Sequence, residues 1–223
     1  MIDNIAYDIK DNLRIESAIP FIEDDIFLIH ATRKQPYSGK HMYYILCKLI
    51  DKYSSLNMMA DEYGPSIAYL EKANTIETIS SIILKKYDNK NAISDLWPII
   101  TVDCNKYYEV RSICTDCRYK GQGITSKFVK YTLSKLCNDS KNENNKACIY
   151  TRINICTSDY LDGKEPSDNE FKFMLKNAMN FYEKCGFIQI DGLLLSKYGC
   201  NMCFIEDELA KAIIKYYRHY AQY

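Results

Sequence analysis

Ile113-Cys114-Thr115-Asp116-Cys117-Arg118-Tyr119-Lys120-Gly121-Gln122-Gly123-Ile124-Thr125-Ser126-Lys127-Phe128-Val129 sets the architecture of this chain. It runs from the end of an apolar segment, through a glycine-containing turn, into the start of a periodic apolar pattern. Gly121-Gln122-Gly123 stands at the junction. Glycine takes backbone conformations closed to other residues and lets the chain approach a ligand closely. A helix starting just beyond presents N–H groups without intrahelical partners and a partial positive charge, which suits a pyrophosphate. Lys120 and Lys127 add charge nearby. Two readings of the glycines stay open at this level, a structural turn and a ligand loop. The turn is not a P-loop, because no Gly-Lys-Ser/Thr follows. Nor is it a dinucleotide fingerprint, because Ser126 stands where the third glycine of GxGxxG belongs.

Working outward, Tyr107 to Thr115 reads as the strand that leads into the turn, and Thr125 to Cys137 as the helix that leaves it. Ile124, Phe128, Thr132 and Leu136 recur every four residues, flanked by Val129 and Leu133, with Lys127, Lys130 and Lys135 off that face. Ala147 to Arg152 is the next strand. Residues 154 to 169 form a polar loop. Ser167 and Glu170 have capping-box spacing, and Phe171, Leu175, Ala178, Met179 and Tyr182 form the apolar stripe of a second helix, which Gly186 can end in a left-handed turn. Phe187 to Ile190 and Met202 to Ile205 read as closing strands. Glu206 to Tyr220 reads as a last helix, acids first and bases last, as the helix dipole prefers. On the N-terminal side, Thr78 to Tyr87 and Ala92 to Val102 read as strands joined by the turn residues Asp88 to Asn91; Pro98 fits the second only at an edge or bulge. Ile26 to Ala31 reads as a short strand. Met42 to Tyr53 reads as an amphipathic helix carrying Tyr44, Leu46, Leu49, Ile50 and Tyr53, and Tyr63-Gly64-Pro65 as a turn. The order predicts an α/β (α+β) fold, a mixed sheet with helices on its faces.

The bulk numbers bound the function. The 223 residues suit one domain, residues 1–223, with a mixed part over 1–75, a core over 76–205 and a C-terminal helix over 206–223. Lys plus Arg and Asp plus Glu are 29 each, so no basic excess points to nucleic acid. No apolar run has the length of a membrane span, and the start of the chain is not a signal peptide. These features predict an intracellular, cytoplasmic protein without a membrane partner. The ten cysteines then read as reduced thiols. The pairs Cys114/Cys117 and Cys200/Cys203 have CxxC spacing, but no compact ribbon spacing joins them, and no metal is expected.

The segment Ile113 to Val129 resembles motif A of the GNAT acetyltransferases, commonly V-x-V-x-P-x-Y-R-G-x-G-I-G-x-x-L-L. Ala178-Met179-Asn180-Phe181-Tyr182-Glu183-Lys184-Cys185-Gly186-Phe187 resembles their motif B, A-x-x-F-Y-x-x-x-G-F. This chain departs at Lys120, where Arg or Gln is usual, at Thr125 for the third small residue, at Cys117 for Pro, and at Leu175 for an Asn. A register headed by Arg118 is the alternative; the Lys120 register places Phe128 and Val129 on the family's apolar pair.

The resemblance implies a mostly antiparallel sheet, splayed between its two central strands and flanked by helices. It also implies acetyl-CoA as co-substrate and an amine acceptor, small molecule or protein, in a monomer or homodimer. Backbone groups of Ile113, Cys114 and Thr115 would bind the pantetheine arm. Lys120, Gly121, Gln122, Gly123, Ile124, Thr125 and Ser126 would form the pyrophosphate loop. Tyr182 matches the family tyrosine that protonates the leaving thiolate, a proton it can give because its pKa near ~10 lies above that of a thiol. Glu109 is the candidate base, with Asp116 and Asp103 as alternatives; His30, His41 and His219 lie far from both motifs in sequence. Cys114 and Cys185 read as packing residues. The acceptor would meet the first 75 residues, the 154–169 loop, whose acids Asp159, Asp162, Glu165 and Asp168 can attract a cationic amine, and the Gly192 to Gly199 region.

Overall fold

Strand pairing begins early in the chain. Leu13–Phe21 (β1) and Glu23–Arg33 (β2) form a hairpin, His41–Leu49 (β3) pairs back on β2, and Ile76–Tyr87 (β4) pairs on β3 after a short helix, Ile67–Lys72 (α1). Lys106–Thr115 (β5), Ile124–Asn142 (α2), Ala147–Asn154 (β6), Asp168–Lys184 (α3), Phe187–Gln189 (β7) and Gly199–Phe204 (β8) follow. The computed structural model describes residues 13–33, 41–50, 67–87, 104, 106–142, 147–154, 167–189 and 199–206. The strands hydrogen-bond in the order β1-β2-β3-β4-β5-β6-β8-β7. The result is a mixed, mostly antiparallel α/β arrangement with helices. Among the described residues no helix is long and apolar enough to cross a membrane.

The chain divides into two compact units, Met1–Asp88 with Val110–Phe128, and Asn89–Glu109 with Val129–Tyr223. In the first, the β1–β4 meander is built on period-two burial interrupted by bulges. Leu13 and Ile15 are buried; the register then skips Glu16, and the buried phase shifts to Ala18. An extra residue does this because side chains alternate faces along a strand. In β4 the register skips Ile79 in the same way, between Thr78 opposite Cys47 and Ser80 opposite Leu46. Leu13, Ile15, Ile29, Tyr43, Ile45 and Ile76 form one core with Ile67 and Leu70 of α1.

Residues 42–49 are not helical. They lie in β3, hydrogen-bonded to β2 on one side and β4 on the other, with Tyr43, Ile45, Leu46 and Cys47 buried. The helical spacing of Leu46, Leu49 and Ile50 is accidental. A short, nearly continuous apolar run cannot be distinguished from a helix segment by periodicity alone. The aromatic and β-branched run Tyr43-Tyr44-Ile45 favours the strand. The Ile26 to Ala31 strand extends to Glu23–Arg33, and β1 and α1 add to the elements read from sequence. The proposed strand at 92–102, the turns at 63–65 and 88–91, Tyr53, and the helix at 206–220 beyond Glu206 lie outside the described residues.

In the second unit, β6, β8 and β7 pair antiparallel, and α3 packs on β6 and β7. Local chemistry explains the ends of α3. Ser167 accepts from the Glu170 N–H while the Glu170 carboxylate accepts from the Ser167 N–H at 2.7 Å, a complete capping box. At the other end Gly186 has φ +100°, donates to the Glu183 carbonyl, and would place a Cβ 2.9 Å from the Phe204 ring. Left-handed backbone and a ring in van der Waals contact both require glycine here.

Two opposite stability changes follow. Gly186→Ala should cost about 1–2 kcal/mol. Ile22, a β-branched residue at φ +65° and 61% exposed in the β1–β2 connection, should tolerate Ile22→Gly with a gain of about 0.5 kcal/mol, strain relief outweighing the entropy of glycine. Thermal unfolding of the two variants beside wild type checks both; a Gly186→Ala midpoint equal to wild type would refute the first.

Candidate functional site

The turn after β5 is built by short-range hydrogen bonds. Asp116 caps a single 3-10 turn, Cys117–Tyr119, accepting from the Arg118 N–H at 2.9 Å. The Arg118 side chain folds back on it, Nε to Oδ1 at 2.9 Å and Nη2 to Oδ2 at 3.0 Å. Such a two-point pair uses the planar fork of the guanidinium. These bonds hold the Asp116 carboxyl down at about 2, and the Arg118 hydrogen bond is the largest cause. The third guanidinium nitrogen pairs with Glu77 of β4. Burial first, and the Glu77 charge second, raise the Tyr119 phenol above its usual value. Arg118 is therefore engaged by two carboxylates, which leaves Lys120 and Lys127, both exposed, as the cations of the turn.

The glycines come next. Gly121 has φ +80° and Gly123 φ +74°, and a Cβ built on either would meet nothing within 4 Å among the described residues. Packing does not explain these glycines; backbone conformation and open space do. Gln122 Nε2 donates to the Arg118 carbonyl at 2.9 Å, and the Ser126 hydroxyl to the Gly123 carbonyl at 2.9 Å. Both side chains are turned onto the chain itself. Gly123 caps α2, its carbonyl accepting the first helical bond from the Lys127 N–H. The first-turn N–H groups at Ile124, Thr125 and Ser126 have no intrahelical acceptor.

Thr125, which replaces a small residue of the motif, is buried, and its hydroxyl lies 2.8 Å from that of Thr115. The side chain thus points to the end of β5. Behind it, Phe128 and Val129 are fully buried, and Phe128 meets Phe21 edge-to-face at 6.3 Å.

Strand β4 holds the end of β5. The Asp116 N–H donates to the Ile79 carbonyl at 2.9 Å, and the Ser80 hydroxyl, itself fully buried, donates to the Cys114 carbonyl at 2.6 Å. In an extended strand a residue's N–H and C=O point to the same edge, and the edge alternates. Cys114 and Asp116 therefore turn toward β4, whereas Ile113 and Thr115 turn their backbone groups to the other edge. Ile113 to Thr115 are all half-buried.

All the turn residues named so far belong to one unit. Tyr182 and Glu109 belong to the other. Tyr182 is half-buried on α3, its ring edge-to-face with Phe181 at 5.6 Å and with Phe187 at 5.2 Å, and Phe187 in turn against Phe204. Glu109 is a buried carboxylate on β5. Asp116 is a weak base, since its carboxyl stays ionised down to about 2; Asp103 lies outside the described residues.

The two CxxC pairs differ from a zinc knuckle. Cys200 and Cys203 lie on β8, three residues apart, and so face opposite sides of the strand; both are buried, and Cys203 donates to the Ile149 carbonyl at 3.1 Å. Among the described residues no group of three or more His, Cys, Asp or Glu is arranged to hold a metal ion. Burial pushes the Cys185 thiol up to about 12, so it stays protonated.

Glu77 and Ser80 were not legible as site residues. Their partners lie more than thirty positions away, and only the β4–β5 pairing brings them together. One signal was present: a serine inside the apolar run Ile79 to Leu84 must find a hydrogen-bond partner if buried.

The Asp116 assignment can be tested directly. The Asp116 carboxyl carbon should titrate by NMR near 2, below the ordinary value near 4. A depressed folded-state pKa makes the bond to Arg118 fully effective above that ordinary value and lost as pH falls through about 2. Titration near 4 would show that the pair does not form in solution.

No protein-family model matches the sequence, and no curated protein does. Among solved structures the chain is similar to NAA60 from Arabidopsis thaliana in complex with acetyl-CoA, at 10% identity over 74% of this chain and 76% of that one, TM-score 0.39. It is similar to a mutant of spermidine N-acetyltransferase SpeG from Vibrio cholerae, at 11% identity over 76% and 68%, TM-score 0.36. It is also similar to the ribosomal-protein-S18-alanine N-acetyltransferase from Escherichia coli, at 11% identity over 91% and 88%, TM-score 0.35.

Proposed function

We propose that this chain is a GNAT-type N-acetyltransferase. It binds acetyl-CoA at the Lys120–Ser126 turn and passes the acetyl group to a primary amine by direct attack in a ternary complex. The observation that carries the reading is the pair of left-handed glycines, Gly121 and Gly123, with open space over both, at the N-terminus of a 19-residue helix. A pyrophosphate fits that chemistry. N–H groups of Gly121, Gly123, Ile124 and Thr125 donate, the helix dipole favours the charge, and Lys120 and Lys127 supply cations. The inward turn of Thr125 toward Thr115 supports the same reading, because the β-branched side chain then leaves the backbone open.

Along β5, the backbone groups of Ile113 and Thr115 suit the amides of the pantetheine arm. Cys114 contributes through its place in the strand, since its carbonyl already accepts from Ser80. Acetyl-CoA supplies the thioester carbonyl that the amine attacks. Tyr182 gives its phenolic proton to the departing sulfur, and Glu109 takes the proton lost by the amine. In this reading residues 1–223 form one domain, acting in the cytoplasm as a monomer or homodimer. Its acceptor is a small molecule or protein, not nucleic acid or a membrane.

Isothermal titration of acetyl-CoA into wild type and Gly123→Glu tests the cofactor site. Wild type should bind, and the variant, with circular dichroism unchanged, should not. A well-folded wild type that fails to bind would refute the reading in favour of a catalytically silent module of the same fold. With an acceptor in hand, Tyr182→Phe should lower kcat about a hundredfold or more with acetyl-CoA affinity unchanged. An unchanged kcat would remove Tyr182 from the chemistry.

A further inference from the structure

We infer that Glu77, a strand residue outside both motif blocks, is a positioning residue for the phosphate-binding turn. The inference rests on the acetyl-CoA reading above. Glu77 pairs with the Arg118 guanidinium across from β4. Arg118 stands two residues before Lys120, where the phosphate-binding turn begins. Arg118 carries the tie onward, because its other two contacting nitrogens hold the Asp116 carboxylate at 2.9 and 3.0 Å. Asp116 in turn is anchored to the Ile79 carbonyl of β4. One carboxylate on β4 therefore closes a ring of bonds around residues 116–118, and the glycine turn begins just past that ring.

The ring has a chemical purpose that electrostatics alone would oppose. Placing a carboxylate beside a site for pyrophosphate weakens anion binding if charge is all that matters. A Glu77 that positions the turn does the reverse: it preorganises the N–H groups, and its removal makes the ligand bear the ordering cost. The two roles predict opposite signs for one substitution. An exposed ion pair is worth up to about 1 kcal/mol, so releasing Arg118 should change affinity by about three- to fivefold.

The test compares CoA with S-acetylpantetheine, which lacks the pyrophosphate, as ligands of the full chain. Glu77→Ala should weaken CoA about three- to fivefold and leave S-acetylpantetheine unchanged. Glu77→Gln, which keeps an acceptor oxygen for Arg118, should stay within about twofold of wild type. Glu77→Asp, which keeps the charge but shortens the reach to Arg118, should weaken CoA in the same direction and serves if Glu77→Ala fails to fold. Equal or tighter CoA binding by Glu77→Ala, or equal loss for both ligands, would overturn the positioning role while wild-type binding keeps the acetyl-CoA reading intact. Failure of wild type to bind CoA would overturn both.

Discussion

The grip of β4 on the last residues of β5 is the constraint on which the site depends. It consists of two short bonds, from the Asp116 N–H to the Ile79 carbonyl and from the Ser80 hydroxyl to the Cys114 carbonyl. Ile79 is the extra residue of a bulge against β3. Bulges re-aim a strand locally, and here the re-aimed strand offers a carbonyl and a side-chain hydroxyl to its other neighbour. The consequence is directional. With Cys114 and Asp116 committed to β4, the backbone groups of Ile113 and Thr115 face the opposite edge.

From that fixed strand end the turn is assembled in layers of increasing exposure. Thr115 reaches Thr125 in the first turn of α2, so strand end and helix start are joined by a hydroxyl pair. Outside it, Asp116, Arg118 and Glu77 form the ion-pair and hydrogen-bond ring. Only then come Gly121 and Gly123, left-handed and open. The order matters physically. Glycine is the residue that loses most conformational freedom on folding, and a two-glycine turn holds one shape only when its flanks hold theirs. The flanks here are held by charge-assisted bonds, among the stronger hydrogen bonds available.

The departures from the motif consensus find a physical account in these contacts. Thr125 at a small-residue position is accommodated by turning its side chain to Thr115 rather than outward. Cys117 replaces the consensus proline at the first residue of the 3-10 turn. There Asp116 caps the turn, and its bonds to Arg118 supply the rigidity that a fixed φ would give.

Features under short-range chemical control were legible in the amino-acid order. The capping box at Ser167 and Glu170, the glycine stop at Gly186, the α2 stripe of Phe128, Val129, Leu133 and Leu136, and the placing of the glycine turn between a strand and a helix all follow from residues within a few positions of one another. Tertiary structure alone decided what depends on distant partners. Residues 42–49 carry apolar spacing that suits either period, and two flanking strands made them β3. Glu77 and Ser80 read as ordinary strand residues until β4 paired with β5. The physical reason is the same in each case. A helix satisfies its backbone within its own segment, so its signals are local, whereas a strand's hydrogen bonds and one whole side of its chemistry belong to whichever strand lies beside it.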